Sequence, residues 1–169
     1  MRRSFAGLEL RGAAVGALAG LAVAAAWIAP EFSPFYRKWL CLGTDPASGA
    51  PSPYSPEVCG WFLTLARLAG SAFVIAPAEE LFFRSYLYRR LQSANFTAVP
   101  LSRFDAQAFL WTVFLFTLEH DRPVVAALAG AAYGLLAVKA GIWPAIMAHA
   151  VTNFALGAYV VLAKAWAFW

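Results

Sequence analysis

Apolar residues in this chain run in blocks rather than alternating with polar ones, and proline, glycine or charge bounds each block. Five segments emerge, at approximately 12–29, 58–77, 106–119, 123–138 and 142–168, with a shorter mixed helix at 78–92. Blocks of this length predict membrane-spanning helices, because the bilayer core offers the backbone no partners beyond its own helix. The proline-rich stretch from Pro30 to Pro56 reads as an irregular loop, and Ser93 to Asp105 as a second connector. No internal repeat interrupts the pattern. The expected fold is all-α, a multi-pass transmembrane helical bundle of about five to six membrane helices forming a single integral-membrane domain over 1–169.

Composition strengthens that picture. Of 169 residues, 62% are hydrophobic, 16% aromatic and only 13% charged, against roughly 25% charged in soluble domains. The first apolar block follows Arg2, Arg3 and Arg11 in the manner of a signal peptide. At about 18 residues it is long enough to span, and further spans follow, so it reads as the first transmembrane helix. A net charge of +4 does not point to nucleic acid here, since the basic residues sit in short flanks and loops, as the positive-inside rule expects. Arg2, Arg3 and Arg11 and the group Arg84, Arg89, Arg90 and Arg103 then share the cytoplasmic side, with two spans between them, and Lys139 returns to it. Trp61, Trp143 and Trp169 suit interfacial anchoring. Cys41 and Cys59 read as two unrelated thiols, with a disulfide open to them if the loop faces an oxidising compartment.

Ionisable groups inside these blocks are the candidate chemistry. The chain has only two histidines, His120 and His149, and a neighbouring block carries Glu79, Glu80 and, four residues on, Arg84. Charge at membrane depth is costly and persists where it does chemistry or carries charge. Pro77 and the carboxylates after it would also suit a helix N-terminus. Glu80 and Arg84 share a helical face and can pair, whereas Glu79 is rotated about 100° away and is free to face a cavity. Glu79 is therefore the expected reactive carboxylate, with Glu80 and Arg84 a supporting ion pair.

The spacing of four recurs in Phe116 with His120 and in His149 with Asn153. Each pair alone would pass as wall packing or interhelical hydrogen bonding. By helix rise, Glu79 lies ~15 Å from Arg89, His149 ~10 Å and Asn153 ~16 Å from the start of their helix at 142 just after Lys139, and His120 ~22 Å from Asp105. All four can meet near mid-membrane. A water-activating carboxylate needs a polar partner and donors for the oxyanion. Glu79 with His120 supplies the first, and His149 with Asn153 the second. The chain has no His-Glu-x-x-His, Gly-x-Ser-Gly or Gly-x-Gly-Asp motif. Zinc held by Glu79, His120 and His149 is the alternative, although Asn153 adds nothing to such a site. The spacings Gly16-x-x-x-Gly20 and Gly130-x-x-x-Gly134 read as close helix packing.

At these residues the chain resembles the CPBP family, the CAAX proteases and bacteriocin-processing membrane proteins. Glu79-Glu80-Leu-Phe-Phe-Arg84, Phe116-Thr-Leu-Glu-His120 and His149-Ala-Val-Thr-Asn153 occur in the family's order. The likeness covers a catalytic core of about 73–160. Phe-Phe-Arg-Ser-Tyr-Leu, Leu-Glu-His and Ala-His-Ala-Val-Thr-Asn are similar to the bacterial CAAX prenyl protease-related, exosortase-associated branch, though Ser85 stands where many members have Gly. The resemblance implies a glutamic intramembrane endopeptidase without cofactor. In it Glu79 and His120 activate water, and His149 and Asn153 hold the oxyanion. It further implies a membrane-anchored peptide or protein substrate within a lipid bilayer, in the bacterial inner membrane. A non-catalytic binding or immunity protein, and an ion pathway lined by Glu79, His120 and His149, are the rival expectations.

Overall fold

The computed structural model describes residues 2–39 and 52–169. Cys41, and with it any pairing to Cys59, lies outside the described residues. Among those described there is no strand. The helices are α1 (Arg2–Ile28), α2 (Pro34–Trp39), α3 (Pro56–Gln92), α4 (Ala106–Leu118), α5 (Pro123–Ala140) and α6 (Ile142–Ala163). α1, α3, α5 and α6 are long and apolar enough to cross a membrane, and α4 is a shorter apolar helix. Their outward faces are greasy, with Phe62, Phe73 and Val74 on α3 and Leu110 on α4 largely exposed, as lipid-facing helices require.

One expectation fails at Pro77. The sequence predicts a helix ending there and a new one starting at 78, whereas α3, kinked at Gly60 (φ 80°, ψ 157°), runs unbroken from there through both to Gln92. Proline inside a helix lacks the N–H for its turn and crowds the preceding carbonyls. The turn just before it, Ser71–Ile75, is widened to π geometry, with the Ala76 N–H donating to the Ser71 carbonyl five residues back. That wider turn absorbs the ring without a break. A second π turn, Leu81–Leu87, follows the acidic pair. Glu79 and Glu80 are thus mid-helix. The helix-terminus explanation for them falls away, and their charge needs other partners.

Bundle packing is set by small residues. A Cβ on Gly16 would lie 2.6 Å from the Pro144 carbonyl oxygen, and one on Gly20 would run into that of Ala148. α1 and α6 therefore touch backbone to backbone, as the Gly-x-x-x-Gly spacing predicts. Gly141, at φ 95°, makes the tight reversal between α5 and α6 in a conformation side chains disfavour. After α6, Lys164 adopts a left-handed conformation, and the chain doubles back through a short turn, Trp166–Phe168, toward the bundle.

These contacts predict that Gly20→Ala lowers the unfolding temperature in detergent, for a loss of about 1–3 kcal/mol. Gly70→Ala, whose added Cβ meets nothing within 4 Å, leaves it unchanged or higher.

Candidate active site

The π-flanked segment of α3 turns its two carboxylates in different directions. Glu80 is fully buried. Its Oε2 lies 3.3 Å from Arg84 Nε, one turn on, and its Oε1 lies 2.9 Å from His149 Nδ1 on α6. Glu79 is a quarter exposed, and its Oε2 is 3.8 Å from His149 Nε2. One helical step thus separates a sealed carboxylate from an accessible one. Arg84 is equally buried; its Nη2 donates to the Gly130 carbonyl at 3.1 Å, and its guanidinium packs over the Phe116 ring at 4.5 Å. A Cβ on Gly130 would come within 2.9 Å of Phe116 and 3.7 Å of Arg84 Nη2. The glycine is what lets ring, cation and carbonyl share that space.

His149 is held on every side. A carboxylate accepts, so the proton between Glu80 and His149 sits on Nδ1, and Nε2 is turned toward Glu79. The Tyr133 ring stacks on the imidazole at 4.7 Å and 17°. The Tyr133 hydroxyl donates to Thr152 Oγ1 at 2.8 Å, and Thr152 Oγ1 lies 2.9 Å from the carbonyls of both Gly20 and Ala148. α1, α5 and α6 are pinned together directly behind the histidine.

His120 is organised in the opposite sense. Its Nδ1 is 2.8 Å from the Phe116 carbonyl. A carbonyl can only accept, so Nδ1 carries the proton and Nε2 is left as a bare acceptor. The ring packs on Phe116 at 4.6 Å and against Trp27 at 5.6 Å. His149 meets the same phenyl ring at 5.8 Å, so one aromatic side chain separates the two imidazoles. Asn153 Nδ2 donates to the Ser71 carbonyl at 3.0 Å, tying α6 to the π turn of α3, with no partner for its second N–H among the described residues.

These groups surround a cavity of about 470 Å³ whose lining includes Phe116, His120, His149 and Asn153. Glu79 is not part of that lining; it joins the cluster through His149. Among the described residues no hydrogen bond or ion pair joins Glu79 to His120, and none joins His149 to Asn153. Among the described residues no three His, Cys, Asp or Glu side chains form a metal-holding group, and His149 Nδ1 is already engaged by Glu80.

Several residues at the site were not legible beforehand. Tyr133 carried a weak signal, as a polar-tipped ring in the middle of an apolar span. Thr152, Trp27 and the Ser71 carbonyl carried none, because their roles come from contacts between helices distant in sequence.

His120 and His149 line a cavity inside a multi-pass helical bundle, and Glu79, Glu80 and Arg84 join them through His149. Residues 61–155 match the protein family described as Type II CAAX prenyl endopeptidase Rce1-like, more than half of the chain, and the chain belongs to that family. It is accordingly an integral membrane protein of an intramembrane protease family. The matched region contains every residue from Glu79 to Asn153 discussed above. No curated protein and no solved structure matches the chain.

Removing one partner of a buried ion pair costs about 3–5 kcal/mol, because the other charge is left uncompensated. Arg84→Ala should therefore lower folded yield and unfolding temperature sharply. The double variant Glu80→Gln, Arg84→Met should recover much of that loss, as measured by thermal unfolding in the same detergent.

Proposed function

We propose that the protein is a metal-free glutamic endopeptidase of the bacterial inner membrane. It hydrolyses a peptide bond near a membrane-embedded or membrane-anchored segment, with a catalytic core of about 73–160 within a single domain. The observation that carries the reading is the opposite set of the two histidines around one cavity. His120 offers a bare Nε2, while His149 is fixed by its proton to Glu80.

In this mechanism Glu79 and His120 share a water, which requires that they not bond each other directly. Glu79 Oε2 is buried and makes no hydrogen bond among the described residues, its nearest cation being His149 Nε2 at 3.8 Å. The water oxygen attacks the scissile carbonyl carbon, its proton passes to the Glu79–His120 pair, and the C–N bond breaks as that proton is delivered to the amine nitrogen. The developing oxyanion accepts from His149 Nε2–H and the second N–H of Asn153. His149 needs both nitrogens protonated for that role.

Helix direction supports access from the non-cytoplasmic side. Trp27 at the end of α1, Ser71 in the first half of α3, His120 after α4 and Leu156 late in α6 all line the cavity. Each lies in, or just beyond, the half of its helix away from Arg11, Arg89, Arg90, Arg103 and Lys139.

Membrane proteomes from cells carrying wild-type protein should contain a new N- or C-terminus. It should be absent with Glu79→Ala or His120→Ala at equal expression. An intact terminus pattern in Glu79→Ala cells would leave only the binding or ion-pathway readings. Asn153→Ala should lower the rate about 10²–10³-fold, the loss expected for one oxyanion donor. Chelators should leave cleavage unchanged; chelator-sensitive cleavage with one metal per chain would replace this reading with a zinc enzyme.

A further inference from the structure

α1 and α3 both pack on α6 and leave between them a groove of about 660 Å³, separate from the cavity that holds the histidines. Gly12 on α1, Ala72, Phe73 and Pro77 on α3, and Met147 and Ala150 on α6 line it, and no residue lines both spaces. The lining carries no polar side chain, so the groove gives water too few partners to hold it. Its floor on α6, from Ile142 to Ala150, rises about 12 Å. One leaflet contributes about half of a hydrocarbon core of ~30 Å, so the groove is close to one leaflet deep.

Charge stands at one end of the groove only. Arg11 directly precedes Gly12, and Lys139 directly precedes Ala140, which lines the same groove. Both cations are exposed, and among the described residues neither has a hydrogen bond or ion pair. Trp143 lies at this end too, 76% exposed, as an interfacial anchor does. The positive-inside rule puts this end in the cytoplasm. Basic pockets between membrane helices on that side bind lipid headgroups.

A slot one leaflet deep, apolar within and doubly cationic at its mouth, matches a phospholipid with a negative headgroup. We propose that the groove binds one anionic phospholipid of the cytoplasmic leaflet, with an acyl chain along α6 and the phosphate between Arg11 and Lys139. A docked protein helix would have no use for the cations, and a diffuse lipid shell would have no use for the groove. The acyl chain lies against Ala72 and Phe73, in the same π turn whose Ser71 carbonyl accepts from Asn153. The lipid thus backs the turn on which Asn153 is held. The proposal is independent of the endopeptidase reading.

The test titrates the full chain, in detergent, with phosphatidylglycerol and with phosphatidylcholine of the same acyl chains, and counts retained lipids by native mass spectrometry. One phosphatidylglycerol per chain should be retained, on the order of tenfold more tightly than phosphatidylcholine. Arg11→Gln and Lys139→Gln should each weaken it about fivefold, and the double variant should bind the two lipids alike. Ala13→Phe, which fills the groove and keeps both charges, should abolish retention. Arg90→Gln, which removes an exposed cation on the same side of the membrane, should leave it unchanged. In nanodiscs, phosphatidylglycerol brominated on its acyl chains should quench the fluorescence of Trp143, read as the difference from Trp143→Phe protein.

Equal retention of the two lipids overturns the proposal, as does a preference that survives in the double variant. A loss in Arg90→Gln as large as in Arg11→Gln reduces the effect to a diffuse charged shell, and the proposal falls. If an isoprenylated peptide displaces the brominated lipid from Trp143, the groove belongs to substrate and the proposal falls. A dimer that forms through this face and excludes phosphatidylglycerol would assign the groove to a second copy of the chain instead.

Discussion

The fully buried Glu80 carboxylate, bonded to Arg84 within its own helix and to His149 from another, is the interaction on which the rest depends. In a bilayer neither charge can retreat to water, and an unpaired one would be severely penalised. Satisfying both requires α3 and α6 to meet at one register. The same pair also requires Gly130 on α5 to bare its carbonyl to Arg84, and Phe116 on α4 to lie under the guanidinium. Four helices are located by one ion pair. In membranes, where burying apolar surface gives little reason for helices to associate, such polar contacts and close glycine packing must supply the specificity.

In the proposed mechanism the reacting group stands at the border of that sealed cluster. Glu79 differs from Glu80 by one helical step, yet it is a quarter exposed where its neighbour is closed off. His149 faces both, committed through one nitrogen and available through the other. A structural pair and a chemical group are thereby held in contact, so the rigidity of the first orients the second. The two π turns on either side of the pair belong to this arrangement. They change the rotation of α3 locally, and the first exposes the Ser71 carbonyl to Asn153 while still serving the Ala76 N–H.

What could be read from the sequence follows from how locally each feature is encoded. Block hydrophobicity located the spans, and a spacing of four placed Glu80 beside Arg84, because both are properties of a single helix. The Gly16–Gly20 spacing foretold close packing without naming α6 as its partner. Pro77 misled, since a lone proline and an acidic pair read as a helix start. Only the π turn, whose cause is shared between proline geometry and tertiary contacts, keeps the helix whole. The Glu80–His149 bond joins residues 69 apart in sequence, and no local pattern contains it. Glu80 was foreseen as a partner for Arg84 alone, and its hold on His149 emerged only from the folded bundle. Likewise, Phe116 was expected to pack a wall and proves to touch both imidazoles and the arginine.

The shortness of α4 bears on how a hydrolase obtains water inside a lipid phase. Its 13 residues rise about 20 Å, against a hydrocarbon thickness of about 30 Å. The charged turn after it, Glu119 to Arg122, is costly in hydrocarbon, and a bilayer that thinned along that flank would bring water to His120 at the edge of the cavity.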